Sequence, residues 1–381
     1  MRYCIVSETY PPEINGVALT VQNLERGLRV RGHEVDVVRP RQAANDSAQA
    51  HERLVPGRQI PRYPGMRFGW PASRLLRGKW TLQRPDAVYI ATEGPLGWSA
   101  MRIAAELGIP SASGFHTRFD EYMRDYGVGF LQPLAVRWMR RFHNASSATI
   151  VPTCELMAFL AGSGFDRVVH MPRAVDTALF NPARRDDALR AEWGVGPEGL
   201  AVINVGRIAA EKNLPLAIHA FRELQKTRPD AKFVWVGDGP GRTAIARDNP
   251  DFVFRGIRCG EDCARHFASA DLFPFSSHSE TFGNVTLEAM ASGIATVAFR
   301  YGAAREHLKD GVHGASIEGR DNEAFVRAVC RIGTDDDMRR NMGRNAREAI
   351  SWLSPAQVAA DFDDILQHIA RSPRHGHARA A

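Results

Sequence analysis

The stretch AVINVGRIAAEKNLP, residues 201–215, indicates the fold of this 381-residue chain. It begins with an apolar run typical of a buried parallel strand, and Gly206 then permits a tight turn. A helical pattern begins directly after the loop. A strand, a glycine turn and a helix in this order form the repeating unit of a doubly wound α/β sheet.

The same alternation extends along the chain in both directions. Strand-like runs are predicted at residues 3–6, 34–38, 87–91, 111–115, 148–151 and 168–171, and again at 200–205, 232–236, 252–254, 272–275 and 295–299. The segment VDTALFNPARRDD, residues 175–187, loses the periodicity and is interpreted as a linker. We predict two doubly wound, Rossmann-like α/β domains, at 1–180 and 181–354, that face each other across a cleft. Residues 355–381 are predicted to form a helix that crosses back to the first domain, followed by a disordered basic tail.

The bulk composition excludes some classes of protein. Five scattered cysteines show no disulfide spacing, the N-terminus does not resemble a signal peptide, and no window is apolar enough to cross a membrane. The chain is therefore expected in the cytoplasm. Its formal charge of +6 suits an anionic ligand, an anionic surface or plain solubility, and no motif supports nucleic-acid binding.

Metal binding is not predicted. Cys259 and Cys263 lack a second pair of ligands nearby. The sequence Asp361 to Asp363 falls within the pattern of the terminal helix and is interpreted as its solvent-exposed face.

Two loops after predicted strands could meet a phosphorylated ligand. Arg207 and Lys212 lie between a strand and a helix, where two cations suit a diphosphate, although solvated surface charges are an equally common reason for such residues. The stretch VWVGDGPGR, residues 234–242, resembles a dinucleotide fingerprint but has Arg242 at the third glycine position. We interpret Gly237 to Gly239 as a tight turn near a ligand and do not expect NAD.

The stretch HSETFGNVTLEAMASG, residues 278–293, places one acid in a loop and another inside a helix. The helix is predicted to begin at residues 283–285, so the amides of Gly283, Asn284 and Val285 would favour an anion. Glu280 would stand beside that anion, and Glu288 would reach a diol. Taken singly, Glu280 is more often an ordinary loop or helix-entry acid, and Glu288 is more often an ordinary exposed helix acid.

The combination of GRIAAEKN with two glutamates eight positions apart in SETFGNVTLEAMASG resembles the family-four retaining glycosyltransferases of the GT-B fold, over nearly the whole chain. The resemblance implies that Arg207 and Lys212 hold the diphosphate of the donor. It further implies that Glu280 binds hydroxyls of the transferred sugar and that Glu288 binds the ribose. The residues around the helix start, Phe282 to Val285, would contact the donor.

The resemblance extends to the first domain and to the nucleotide base. ETYPPEINGV, residues 8–17, would place Gly16 near the donor phosphates, and SGFHTRFDEY, residues 113–122, would place His116 at the sugar site. A lone histidine at a strand end is more often structural. Arg255 lies where this family holds the base.

The implied activity is α-retaining transfer of a hexose from GDP-mannose or a UDP-hexose to a hydroxyl of a lipid, polyprenyl-linked or glycan acceptor. Arg207, Lys212, Glu280 and His116 are the predicted catalytic residues, with neither a metal nor a cofactor. A nucleotide-sugar epimerase or a sugar phosphorylase of the same fold is the alternative enzyme. The alternative that is not an enzyme is a two-domain solute-binding protein.

Two basic stretches suggest peripheral binding to the inner face of an anionic membrane. Residues 53–84 contain eight basic residues and no acid, interleaved with Tyr63, Phe68, Trp70 and Trp80. FLQPLAVRWMRRF, residues 130–142, could form an interfacial helix. A basic loop and a helix packed on its own domain would explain the pattern equally well.

Overall fold

The chain folds into two compact units. A computed structural model describes residues 1–13, 15–42, 46–59, 67–116, 132–277 and 282–372. The first unit comprises Met1–Ala174 together with the chain from Pro355, and the second comprises Val175–Ser354. Each unit is built on a parallel sheet, as the repeated strand and helix pattern predicts.

The main sheet of the first unit has seven parallel strands in the order β3-β2-β1-β6-β7-β8-β9, and β4 and β5 pair separately as an antiparallel ribbon. Its strands are β1 (Arg2–Val6), β2 (Glu34–Pro40), β3 (Glu52–Val55), β4 (Gly57–Gln59), β5 (Arg67–Gly69), β6 (Ala87–Ile90), β7 (Ser111–Gly114), β8 (Ala148–Val151) and β9 (Val168–His170). Its helices before the second unit are α1 (Gly16–Val30), α2 (Ser73–Leu82), α3 (Pro95–Glu106), α4 (Gln132–Asn144) and α5 (Cys154–Gly162).

The second unit has six parallel strands in the order β12-β11-β10-β13-β14-β15. They are β10 (Ala201–Val205), β11 (Lys232–Val236), β12 (Val253–Gly256), β13 (Leu272–Phe275), β14 (Ala295–Phe299) and β15 (Gly314–Ile317). The helices are α6 (Asp187–Glu192), α7 (Leu214–Gln225), α8 (Arg242–Asp248), α9 (Gly260–Ala268), α10 (Asn284–Ala291), α11 (Gly302–His307), α12 (Asn322–Thr334) and α13 (Asp336–Ala349). Helix α14 (Pro355–Arg371) returns to the first unit.

Both faces of each sheet are covered, which explains the continuous apolar runs. In β1, Tyr3 and Ile5 pack in one buried cluster, whereas Cys4 and Val6 pack in another. In β10, Ile203 and Val202 belong to two different clusters in the same way. A strand buried on both faces cannot show a polar alternation, so its whole length is apolar.

The predicted doubly wound α/β class is confirmed, and all eleven predicted strands are present within two residues at each end. Four strands are absent from the prediction: β3, β4, β5 and β15. The first three carry arginine or glutamine at exposed or partly exposed positions, and β3 also begins with the buried Glu52. Strand β15 is a short run of mostly small residues, so none of the four has the apolar pattern.

The interpretation of Asp363 as part of a solvent-exposed face is wrong. Helix α14 packs on α1 so closely that a Cβ at Gly27 would lie 2.3 Å from the Ala359 Cβ. Asp363 is 1% exposed, and it accepts hydrogen bonds from Tyr3, Arg31 and His33. Although burial opposes ionisation, these bonds lower the pKa of Asp363 to about 2.

None of the helices within the described part of the chain is long and apolar enough to span a lipid bilayer.

Candidate functional site

The strand order of the second unit places a binding edge at β10 and β13. The chain proceeds from β10 to β11 on one side, whereas β13 lies on the other side of β10. At such a reversal, the loops after the two strands separate and leave room for a ligand at their carboxyl ends. The loops that carry Arg207 and Lys212 and that lead to α10 both begin at this edge.

The loops after β10 and β11 are packed against each other through their backbones. The Ile208 amide donates to the Asp238 carbonyl over 3.0 Å, and the Gly241 amide donates to the Ile208 carbonyl over 2.9 Å. A Cβ at Gly237, where φ is 133°, would lie 1.9 Å from the Gly206 carbonyl oxygen. Glycine at 237 therefore serves this close approach of two chains, which differs from the phosphate contact of a dinucleotide fingerprint.

Of the two predicted cations, Arg207 precedes a short 3-10 turn, Ala210–Lys212, and Lys212 is its last residue. The Arg207 side chain is 56% exposed and lies 3.6 Å from Glu211. The Ser276 hydroxyl, at the end of β13, donates to the carbonyl oxygens of Lys212 and Asn213 over 3.1 and 3.0 Å. This contact joins the loop after β10 to the loop that leads into α10.

Glu280 lies outside the described residues, but both flanks of its loop are fixed. The Tyr301 hydroxyl donates to the Ser277 carbonyl, and the Ala303 amide donates to the Phe282 carbonyl, each over 2.7 Å. The Phe282 ring is buried in the core of the second unit. The aromatic side chain therefore anchors this end of the loop in the core, and a contact of Phe282 with the donor stays a prediction.

Helix α10 has an N-terminus without a side-chain cap. Its N-cap residue is Gly283, with φ of 86°, and this residue has no side chain to accept from the first-turn amides. The Thr286 amide donates to the Gly283 carbonyl, whereas no described residue accepts from the amides of Asn284 and Val285. The sequence prediction that this helix begins at residues 283–285 is confirmed. Open amides at a helix start favour an anion.

Glu288 sits one turn inside α10 and is half-buried. Burial raises the pKa of its carboxyl group to about 7. No described residue donates a hydrogen bond to that carboxylate. An acid in this state can accept hydrogen bonds from hydroxyl groups of a ligand, because its oxygens have no competing partner among the described residues.

In the first unit, Gly16 begins α1 and Asn15 is its N-cap. The Asn15 side chain accepts from the amides of Val17 and Ala18 over 3.0 and 2.8 Å. Two of the first-turn amides are therefore already used, in contrast to α10. The Gly16 amide is the remaining group of this turn that could meet a phosphate.

His116 follows β7 and is held from both sides. Its Nδ1 lies 2.7 Å from Arg173 Nη2, and its Nε2 lies 2.9 Å from the Tyr89 hydroxyl. Burial, followed by the Arg173 charge, holds the pKa of His116 well below its usual 6.5. The ring is therefore neutral at physiological pH.

Sequence reasoning missed Arg173, Tyr89 and a buried acid, Glu8. Glu8 follows β1, accepts from the Leu96 amide at the start of α3 over 2.8 Å, and has its pKa raised to about 7 by burial. One signal could have found Glu8 and Arg173: each follows a parallel strand of the first sheet by two or three residues. Glu8 and Arg173 therefore lie, like His116, at the carboxyl edge of the first sheet.

Arg255, predicted at the nucleotide base, forms an ion pair with Glu192 in this structure. Its Nη2 donates to Glu192 Oε2 over 2.8 Å, and its Nε atom is buried without an acceptor among the described residues. The side chain of Arg255 thus points to α6. A role for Arg255 at the nucleotide base stays a prediction.

Comparisons with known proteins agree with this architecture. The model of the Glycosyltransferase Family 4 matches residues 14–179, and that of the Glycosyl transferases group 1 matches residues 186–349. A protein named GDP-mannose-dependent alpha-mannosyltransferase, from Mycobacterium tuberculosis (strain CDC 1551 / Oshkosh), is 32% identical over 80% of this chain and 81% of its own length. The alpha-monoglucosyldiacylglycerol synthase of Acholeplasma laidlawii is 27% identical over 91% of this chain and 92% of its own.

Solved structures show the same fold. The sucrose-phosphate synthase of Thermosynechococcus elongatus superposes with a TM-score of 0.77 at 17% identity, over 97% of this chain and 98% of that one. The two family models together match most of the chain, so the resemblance drawn from the two loop motifs is confirmed. The chain is a glycosyltransferase of family four and has the GT-B fold.

Proposed function

We propose that this enzyme transfers a hexose, with retention of the anomeric configuration, from a nucleoside-diphosphate sugar to a hydroxyl group of a lipid, polyprenyl-linked or glycan acceptor. GDP-mannose is the proposed donor, since the M. tuberculosis relative is named as dependent on it. The name of the A. laidlawii relative supports a lipid acceptor and makes a UDP-hexose the next donor to test.

One observation carries this proposal. The loop with Arg207 and Lys212 is bonded through Ser276 to the loop that precedes the open N-terminus of α10. Two cations and uncapped helix amides at one edge of a sheet form an electrostatic site for a diphosphate.

The chemical task of this site is to stabilise the departing nucleoside diphosphate. As the bond from the sugar to the diphosphate breaks, negative charge grows on the leaving oxygen, and donors already in position stabilise it. Glu280 would orient hydroxyls of the transferred sugar. Glu288 would accept from the ribose hydroxyls, and His116 would line the sugar side of the site.

Donor identity is tested by a thermal-shift screen followed by a transfer assay. GDP-mannose, UDP-glucose and UDP-galactose are compared, because a ligand that binds only the folded protein raises its melting temperature. Transfer from the binding donor to an acceptor lipid is then followed with a labelled sugar, and NMR of the product gives its anomeric configuration. An inverted product would refute retention, and a rearranged donor would indicate an epimerase.

We further propose that no metal is required, because Arg207, Lys212 and the helix amides would supply the positive charge. Turnover should be the same in EDTA as in Mg²⁺. Loss of turnover in EDTA that Mg²⁺ restores would refute this part of the proposal.

A membrane-facing surface on α4 is the proposed acceptor-side contact. Leu134 and Trp138 are 66% and 43% exposed, and Arg137 and Arg141 are exposed on the same helix. These four residues have the spacing of one helical face, which is apolar and basic together. Phe130 and Leu131, which were predicted to extend it, lie outside the described residues.

Two aromatic residues of the predicted membrane stretches are core residues. Trp80 is 1% exposed and Phe142 is fully buried, both in the same cluster between helices and sheet. They cannot reach a lipid surface, so the prediction is wrong for these two positions.

Flotation with anionic liposomes at low salt tests this surface. Trp138→Ser should reduce co-flotation, because it removes an exposed aromatic side chain from the basic face. Trp352→Ser is the matched control, since Trp352 is 53% exposed and lies in the second unit. An equal effect of both substitutions, or no flotation of the wild type, would remove the membrane proposal.

A further inference from the structure

Three buried side chains form a hydrogen-bonded line at the carboxyl edge of the first sheet. Arg173 Nη2 donates to His116 Nδ1, and His116 Nε2 contacts the Tyr89 hydroxyl. His116 is 8% exposed, Arg173 is 6% exposed and Tyr89 is 1% exposed. A guanidinium can only donate, so Nδ1 accepts and the single proton of a neutral ring lies on Nε2, facing Tyr89.

No acid within the described residues compensates the charge of Arg173 beside His116. The Arg173 Nη1 atom is buried without an acceptor, and no acid of the described chain forms an ion pair with it. Burial lowers the pKa of Arg173 to about 10, so the residue is still a cation at neutral pH. An unpaired buried cation is costly, and it opposes any second positive charge beside it.

Gly114 shows that the fold makes room for this line. A Cβ at residue 114 would lie 2.2 Å from the Tyr89 hydroxyl oxygen and 2.6 Å from His116 Nε2. Any other residue at 114 would force these two atoms to move. The bond between Tyr89 and His116 therefore depends on glycine at this position.

We propose that Arg173 and Tyr89 are positioning residues that fix His116 as a neutral imidazole with its proton on Nε2. His116 then serves the transfer reaction as a fixed neutral group that keeps its Nε2 proton and neither accepts nor transfers one. The catalytic part of this inference rests on the proposed role of His116 at the sugar site.

Among the residues that the structure describes, the other titratable groups near His116 either also disfavour its charge or are bonded elsewhere. His143 also disfavours a charge on His116. Glu93 Oε1 lies 3.3 Å from His143 Nε2, and the opposite ring nitrogen of His143 contacts Ser113. Glu8 is bonded to the start of α3.

Nitrogen NMR of histidine-labelled protein without substrate tests the inference independently of the reaction. In the wild type, His116 should show the Nε2-protonated tautomer and should not titrate over the range in which ordinary histidines do, between about pH 5 and 8. A wild-type His116 that titrates in this range, or that carries its proton on Nδ1, would overturn the inference. This result does not depend on which donor or acceptor the enzyme uses.

Two substitutions separate positioning from plain stability. Arg173→Met removes the donor and the charge, so both neutral tautomers of His116 should be populated and its pKa should rise. Arg173→Lys keeps a cationic donor and should retain the wild-type tautomer. With the donor that the screen identifies, kcat should fall about 10- to 100-fold in R173M, by analogy with the loss of groups that orient metal-bound histidines. The acidic limb of its pH profile should move to higher pH.

Tyr3→Phe is the matched control. It removes a buried hydroxyl from β1, the strand beside β6 and Tyr89, and should lower stability without changing the His116 signals. Tyr89→Phe, which keeps the ring, should speed exchange of the Nε2 proton. If R173M and Y3F leave His116 and the pH profile equally unchanged, Arg173 has no positioning role.

Discussion

Replacing Glu288 with glutamine should stabilise the protein at alkaline pH and have little effect on stability at acidic pH. Burial raises the pKa of Glu288 from 4.5 to about 7. Between these two values the unfolded chain has lost the proton while the folded protein still holds it. The stability that the protonated acid contributes is therefore complete below about pH 4.5 and is lost as the pH rises through 7.

The magnitude follows from the size of the pKa change. A rise from 4.5 to about 7 corresponds to about 3.4 kcal/mol between the two protonation states. Glu288 is half-buried and partly screened by water, so we expect roughly half of this, ~1.5 kcal/mol. E288Q has no proton to lose, and its advantage over the wild type should be about 1.5 kcal/mol at pH 8 and near zero at pH 4.5.

Urea denaturation at both pH values, followed by circular dichroism, measures this difference. Glu323→Gln is the matched control, because the Glu323 side chain is 89% exposed in the same unit. The control should show no comparable gain at alkaline pH. An E288Q advantage of equal size at both pH values, or no advantage at pH 8, would refute the argument from burial.

The same substitution should weaken binding of the nucleotide. A carboxylate can accept from both ribose hydroxyls, whereas the glutamine side chain has one accepting oxygen. Loss of one hydrogen bond to a charged group costs about 1.5–3 kcal/mol, so the Kd for GDP at pH 8 should rise about tenfold or more. Stabilisation without any loss of GDP affinity would show that Glu288 is not at the ribose.

Three further substitutions test other parts of the molecule. Arg207→Ala should lower kcat about 10²- to 10³-fold in steady-state assays, the cost of removing one preorganised donor, whereas the exposed Arg327→Ala should be neutral. Gly237→Ala should destabilise the second unit by about 3 kcal/mol or more in thermal unfolding, because its Cβ would collide with the Gly206 carbonyl, whereas Gly78→Ala, with open space around it, should not. Asp363→Asn should cost about 2 kcal/mol at neutral pH, the scale that corresponds to a carboxyl pKa lowered from 3.8 to about 2, because Arg31 and His33 lose their charged partner. Because the pKa of Asp363 is lowered to about 2, the wild type should lose this stability as the pH falls from about 4 toward 2, and acid titration should show D363N to be less sensitive there.

Several core and surface residues could not be distinguished from sequence. Trp80 and Trp138 both occur among arginines, but Trp80 is buried and Trp138 is 43% exposed. Asp361 and Asp363 are two residues apart on one helix, and only Asp363 meets Arg31 and His33 from a distant part of the chain. Local composition carries no information on which distant residues will cover a helix face.

The candidate site shows the same division. The positions of Arg207, Lys212 and Glu288 relative to strands and helices followed from the sequence, since strand ends and helix starts have local signals. Arg173 also follows a strand, but no local signal reveals its bond to His116, which lies 57 residues earlier in the chain.

The sequence by itself determined the parallel α/β architecture and the loops that carry charge. Doubly buried strands must be apolar throughout, and a glycine or a cation at a strand end is visible without coordinates. Only the tertiary structure decided the protonation of Glu288 and His116 and the pairing of Asp363 and Arg173. These properties depend on burial and on short contacts between residues far apart in the chain, and the energy of a charge changes steeply with both.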